Sequence, residues 1–142
     1  FKEKDVRPMG RAASGVRGMR LRSDDSVIGM DIVDPKNDKL EFLTIGENGV
    51  GKCTSIEEYR IQGRGGSGIK TANITAKTGF LIHAKVVDKV ASADHDLIIM
   101  SANGQVIRLP FKSVSISGRA TQGVKLMRFK EEDDKVASVT LL

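Results

Sequence analysis

Tryptophan is absent from these 142 residues, and aromatics make up only 4% of them, with Tyr59 the single tyrosine. Proteins that hold single-stranded nucleic acid stack its bases on aromatic rings, so this composition speaks against that class. Cysteine is as sparse: Cys53 stands alone, which excludes an intrachain disulfide and a cysteine-built zinc site. His83 and His95 have no ligand-like spacing to each other or to Cys53, and no metal is expected. No apolar run approaches the roughly 18 residues that signal a membrane-spanning helix, and no secretory leader opens the sequence. A cytoplasmic location is therefore expected. The first residue is Phe1 rather than Met, which reads as a piece excised from a longer chain. The charge excess is small. Lys and Arg number 23 against 18 Asp and Glu, a net +5 that is compatible with an anionic partner without establishing one.

Glycine is plentiful, at 15 residues against 3 prolines, and it recurs in register. Three segments read alike: GRAASGVRGMRL from Gly10, GRGGSGIKTANI from Gly63 and GRATQGVKLMRF from Gly118, with starts 53 and 55 residues apart. In each, Gly-Arg is followed by Gly at the sixth position, an aliphatic residue, then a cation. The match continues downstream. Ser26–Val33 corresponds to Phe80–Val87 and to Lys135–Leu142, Leu40–Ile45 to Leu97–Ser101, and Asn48-Gly49 to Asn103-Gly104. Self-similarity at this period is the mark of a repeat architecture.

Each repeat holds about four short runs rich in Val, Ile, Leu and Thr, and Asn-Gly between two such runs is a strong hairpin signal. No stretch has helical period beyond one turn at Ile56–Tyr59. Four strands in about 55 residues, repeated, give propeller-like blades and an all-β fold. The expected organisation is one β domain in which residues 1–9 are the tail of a preceding blade. Residues 10–62 and 63–117 are blades, and 118–142 are a partial one, about two and a half repeats in all.

Two glycine motifs imitate nucleotide sites. Gly46–Cys53 reads GENGVGKC, close to a phosphate-binding loop, but Cys53 replaces the magnesium-binding hydroxyl and a hairpin turn is the better reading. Gly63, Gly65 and Gly68 spell G-x-G-x-x-G, yet Ile69–Ile74 after them is poor helix and fair strand, unsuited to a dinucleotide site. No catalytic arrangement of Ser, His and Asp recurs, and the acidic run Glu131–Asp134 reads as a solvated hairpin tip.

The cations give the best functional lead. Arg11, Arg64 and Arg119 occupy one repeat position, and Arg17, Lys70 and Lys125 another, six residues on. Stacked repeats would align these charges beside glycines that let phosphates approach the backbone closely. Lys52 and Arg108, which follow the two Asn-Gly turns, and Arg60, just before the second Gly-Arg, join the candidate DNA-binding set.

At Gln62, Gly63, Arg64, Gly65, Gly66, Ser67 and Gly68 the sequence resembles the gyrase A box, with Gly63 and Ser67 standing where that motif has basic residues. VRPMGRAASGVRGM, ENGVGKCTSIEEYR and GRATQGVKLMRF also resemble the C-terminal domain family of gyrase A, so the likeness covers essentially the whole chain. It implies a β-pinwheel, a propeller-like ring of four-stranded blades that exchange strands with their neighbours, of which this chain is an incomplete set. Double-stranded DNA is the implied partner, bent around a basic rim. The rest of gyrase A, together with gyrase B, forms the surrounding A2B2 heterotetramer, bacterial and nucleoid-associated. Negative supercoiling, with its ATP, magnesium and DNA cleavage, is implied for other parts of that enzyme. No cofactor and no catalytic residue are expected in this piece. The alternatives are the related C-terminal domain of topoisomerase IV and, from another class, a propeller-type protein-interaction scaffold.

Overall fold

The computed structural model describes every residue from Phe1 to Leu142. Its regular structure is seven β-strands and three single-turn 3-10 helices, and no helix is long and apolar enough to cross a membrane. The chain divides into two compact units, Phe1–Val27 with Tyr59–Ile69, and Ile28–Glu58 with Lys70–Leu142.

The second unit contains all the strands: β1 (Leu40–Gly46), β2 (Val50–Ser55), β3 (Leu81–Asp88), β4 (Asp96–Ser101), β5 (Val106–Pro110), β6 (Val124–Lys125) and β7 (Val136–Leu141). They form two antiparallel sheets, one ordered β3-β1-β2-β6 and the other β5-β4-β7. Both hairpins lie where the Asn-Gly pairs predict them: β1 pairs with β2, and β4 with β5. The third partner comes from elsewhere. β3, a strand of the second sequence repeat, runs along β1 from Leu40↔Asp88 to Gly46↔Leu81, and β7 of the third repeat pairs with β4 of the second in the same way. Strand exchange between repeats, the expectation for a pinwheel, is thus built into both sheets. A sequence repeat and a hydrogen-bonded sheet are consequently different sets of residues.

The hairpin turn differs in detail from a two-residue Asn-Gly turn. The N–H of Gly49 donates to the Gly46 carbonyl (3.0 Å), and only Gly49 has a positive φ, of 72°. Glu47 and Asn48 are therefore the centre of a type I turn followed by a left-handed glycine, a common longer hairpin loop. Gly104, with φ 84° and a bond to the Ser101 carbonyl (3.1 Å), repeats it. This geometry also corrects the alignment of the strands. Gly46 corresponds to Ser101, so Phe42 rather than Leu40 occupies the repeat position of Leu97.

Leu43, Ile45, Cys53, Val87, Leu97, Ile99, Phe111, Val114, Met127 and Val136 form one buried cluster. Burying a side chain of this size contributes roughly 1.5–3 kcal/mol. β1 is covered on both faces, whereas β4 alternates buried with half-buried positions up to the exposed Met100 and β5 alternates half-buried with exposed ones. The 3-10 turns at Glu3–Asp5, Ile56–Glu58 and Phe111–Ser113 fall at one repeat position, of which only the middle copy is legible as a helical turn in the sequence.

Two expected strands do not form ladders. Ile69–Ile74 joins no ladder, although its Asn73 N–H donates to the Thr121 carbonyl (3.0 Å), and its copy in the third repeat pairs only over Val124–Lys125. Ser26–Val33 is not a strand either. Its Asp31 carboxylate instead accepts the Val86 N–H (2.8 Å).

The equivalent glycines Gly49 and Gly104 separate two costs. A Cβ at Gly104 would meet nothing, whereas one at Gly49 would lie 2.7 Å from the Met127 carbonyl oxygen. Gly104→Ala is expected to cost about 1–2 kcal/mol, the penalty for an L-residue in the left-handed region. Gly49→Ala is expected to cost clearly more in urea denaturation; equal losses would show that the Met127 contact is not felt.

Candidate nucleic-acid interface

The Gly-Arg turns are the points where the repeats grip one another. In the first unit, Arg64 donates through Nη1 to the carbonyl of Arg17 and through Nε to that of Asp5, both at 2.9 Å. The Gly65 N–H donates to the Gly18 carbonyl and the Arg20 N–H to that of Gly66, both at 2.8 Å. Backbone bonds on both sides thus fix the path of this turn. Gly68 is left-handed (φ 75°), as are its equivalents Gly15 and Gly123, which explains why the sixth position of the motif is glycine in all three copies. Gln62, Gly63, Gly66 and Ser67 complete the box-like segment, and Gly63, Gly66 and Ser67 are exposed. No helix follows Gly68, so the segment lacks the context of a dinucleotide loop.

In the second unit the third copy of the turn is gripped more heavily. The Arg119 N–H donates to Glu58 Oε2 (2.9 Å), and Arg119 Nη1 to the Lys70 carbonyl (2.8 Å). Upstream of the turn, Cys53 of β2 pairs in parallel with Ile116, which lays this segment along the β2 edge. From that strand Lys52 reaches beneath the turn. Its Nζ donates to the carbonyls of Gly118 (2.7 Å) and Arg119 (2.8 Å) and to Thr121 Oγ1 (3.1 Å). The residue is 1% exposed. Desolvation pushes the Lys52 pKa down, with the Glu58 carboxylate opposing that shift and Arg119 adding to it.

Lys52 is therefore a correction to the list of surface cations: an ammonium this enclosed, with three internal acceptors, does not face a phosphate. Nor are Lys52 and Arg108 repeat partners. Strand pairing sets Ile107 at the Lys52 position and Arg108 at that of Cys53, and adjacent strand residues point to opposite faces. Arg108 projects outward and is ion-paired with Asp96, whose Oδ2 accepts its Nε at 2.6 Å. The loop GENGVGKC is the end of β1, the turn and most of β2, with no helix. Burial, with Glu41 beside it, pushes the Cys53 thiol up to about 12, so it remains protonated and is no nucleophile at neutral pH.

The remaining candidates are exposed. Lys70 Nζ donates to Asn73 Oδ1 and Lys125 Nζ to the Asn48 carbonyl, both at 3.0 Å. Arg11, Arg17 and Arg60 are exposed with no side-chain partner. So are four cations outside the set that the motifs pick out: Arg20, Arg22, Arg128 and Lys130. Aligned by the repeat, Arg17, Arg20 and Arg22 correspond to Lys125, Arg128 and Lys130. The middle copy has Lys70, Asn73 and Thr75, and this interruption is what hid the row. No three His, Cys, Asp or Glu side chains come together to hold a metal.

Lys52→Met keeps the apolar stem and removes the ammonium, leaving three oxygens without their donor. A loss of about 1–3 kcal/mol is expected in chemical denaturation. The salt dependence of any duplex binding is expected to stay as it was; a shallower slope would mean that Lys52 meets phosphate after all.

Comparison with known proteins places this geometry. The family described as DNA gyrase C-terminal domain, beta-propeller, matches residues 1–34, 40–88 and 95–142. The DNA gyrase A protein of Staphylococcus epidermidis is 43% identical over 128 residues, covering 90% of this chain and 14% of the relative. Its counterpart in Staphylococcus aureus is 42% identical over 132 residues, covering 93% of this chain. The chain thus spans about 14% of the length of these relatives. A solved gyrase A C-terminal domain superposes with a TM-score of 0.78 at 25% identity, over 98% of this chain and 45% of that one. The C-terminal domain of DNA topoisomerase IV gives 0.85 over 100% of this chain and 42% of its own, but at 18% identity, which speaks to fold alone. Since the family match runs through all three repeats and the identity holds over nine-tenths of the sequence, the chain belongs to the DNA gyrase C-terminal domain family.

Proposed function

We propose that this chain is part of a surface that binds and bends double-stranded DNA, within a gyrase A protein that works with gyrase B in ATP-dependent negative supercoiling. ATP, magnesium and strand cleavage belong to other parts of that assembly, and this piece contributes no chemistry. The observation that carries the reading is the repeated row of unengaged cations, Arg17, Arg20 and Arg22 in one copy and Arg128 and Lys130 in another, each exposed with its side chain free of internal partners.

Such cations suit a partner read by its backbone charge rather than its bases. Smoothly bending a site of 20–30 bp by 40–90° costs on the order of 1–6 kcal/mol. Counterion release offsets that cost, with log K falling by about 0.9 per phosphate contact for each decade of salt. About two and a half repeats, an incomplete set of the blades implied by the resemblance, supply only part of the contacts, so the isolated chain is expected to bind weakly and wrap poorly. Arg64, Arg119 and Lys52 stand outside this contact set, because each spends side-chain donors on internal carbonyls. Arg108 is also set aside, being paired with Asp96.

The test is a duplex titration across a salt series with the full-length protein. Absence of binding at low salt would overturn the DNA reading. Replacing Arg20, Arg22, Arg128 and Lys130 by Ala is expected to lower the slope of log K against log salt by about 0.9 per lost contact. An unchanged slope removes these residues from the interface. In the assembled enzyme, relaxation of plasmid without negative supercoiling would favour a topoisomerase IV role.

A further inference from the structure

The same pair of hydrogen bonds occurs twice in the chain, one repeat apart. Arg64 Nη1 donates to the Arg17 carbonyl (2.9 Å), and Arg119 Nη1 donates to the Lys70 carbonyl (2.8 Å). Arg64 and Arg119 share one repeat position, as do Arg17 and Lys70. A backbone bond returns in the opposite sense each time: the Arg20 N–H to Gly66 (2.8 Å), and the Asn73 N–H to Thr121 (3.0 Å). These four residues again pair off by the repeat. The lock is therefore a property of the repeat and not an accident of one loop.

Its acceptor is informative. The carbonyl that is gripped belongs, both times, to the cation six positions after a Gly-Arg arginine, Arg17 in one repeat and Lys70 in the next. A guanidinium is a planar fork of fixed donors, and Arg64 uses two of its edges at once, on Arg17 and on Asp5. Lysine can meet several acceptors from one point, as Lys52 does, but it lacks the separate fixed edges that Arg64 sets against Arg17 and Asp5. Arg119 makes the Lys70 bond but its buried Nε has no acceptor, so the copy at Arg64 is the fuller one.

We propose that Arg64 and Arg119 are positioning residues, not phosphate contacts: each clips the Gly-Arg turn of its own repeat to the backbone of the first row cation in the repeat before, and so fixes where that cation is presented to DNA. The proposal rests on the DNA-wrapping reading and assigns these arginines a role within it. Charge alone does not meet the requirement; the fork does. A substitution that keeps the charge and removes the fork separates the two roles.

The experiment uses the full-length protein, assembled with its gyrase B partner, and compares wild type with the Arg64→Lys, Arg119→Lys double variant. Two quantities are read: the salt slope of duplex binding, and the linking-number change trapped when nicked plasmid is sealed on the protein. The expected result is an unchanged slope, because no phosphate contact is lost, with the trapped linking change falling to about half or less as the presenting geometry loosens. Wrapping equal to wild type in the lysine variant overturns the clip. So does a slope that drops by about 0.9 per arginine in Arg64→Ala and returns in Arg64→Lys with wrapping intact, since that identifies phosphate contacts. Should the double variant lose its β-sheet circular dichroism, Arg64→Lys alone, whose bonds lie at the exposed surface, carries the test with the same outcomes. If wild type itself neither binds nor wraps duplex DNA, the wrapping reading fails, and the result is distinct from failure of the clip.

Discussion

β1 has hydrogen-bonded neighbours on both sides, and one of them, β3, is supplied by the following sequence repeat. β7 stands in the same relation to β4. A buried strand with an unpaired edge leaves N–H and C=O groups without partners, each costing free energy comparable to a lost hydrogen bond. No repeat here can complete its own sheet, and each depends on the next. Ser26–Val33 has the composition of β3 yet stays outside any ladder.

Strand exchange also explains why the Gly-Arg turns are so heavily held. The segment that follows the third Gly-Arg leaves its own repeat's territory and runs along another, with Val124–Lys125 beside Val50–Gly51. A crossing segment of this kind has few ladder bonds of its own. Its path is set by glycines that accept left-handed backbone, by a guanidinium on a neighbouring carbonyl, and in the third repeat by the buried Lys52 ammonium beneath the turn. Cations in this chain therefore play two kinds of role. Arg64, Arg119 and Lys52 donate to backbone carbonyls and hold the turns, whereas Arg17, Arg20, Arg22, Arg128 and Lys130 are exposed with their side chains free.

The division was only half legible. Spacing alone reveals the repeat, the hairpins and the absence of helix, because strand-turn-strand chemistry is local and glycine requirements are strict. Box residues Gly65 and Gly68 stand out in the same way. Arg64, Arg119 and Lys52 look from sequence like surface charges aligned for phosphate, and their acceptors lie 47, 49 and 66 or more residues away, beyond any local pattern. Conversely, Arg20, Arg22, Arg128 and Lys130 could have been found by aligning the repeats through their full length, but Asn73 and Thr75 break the row in the middle copy.

The period, the all-β character, the hairpin positions and the family likeness are all written in the order of the amino acids. They follow from side-chain alternation, turn residues and recurring motifs, which act over a few positions. Folding in three dimensions settled other matters: which strand completes which sheet, which glycines are crowded, and which of several similar cations are buried and bonded rather than free. A lysine's charge is the same in every setting; whether it meets a carbonyl or water depends on which distant segment is folded against it.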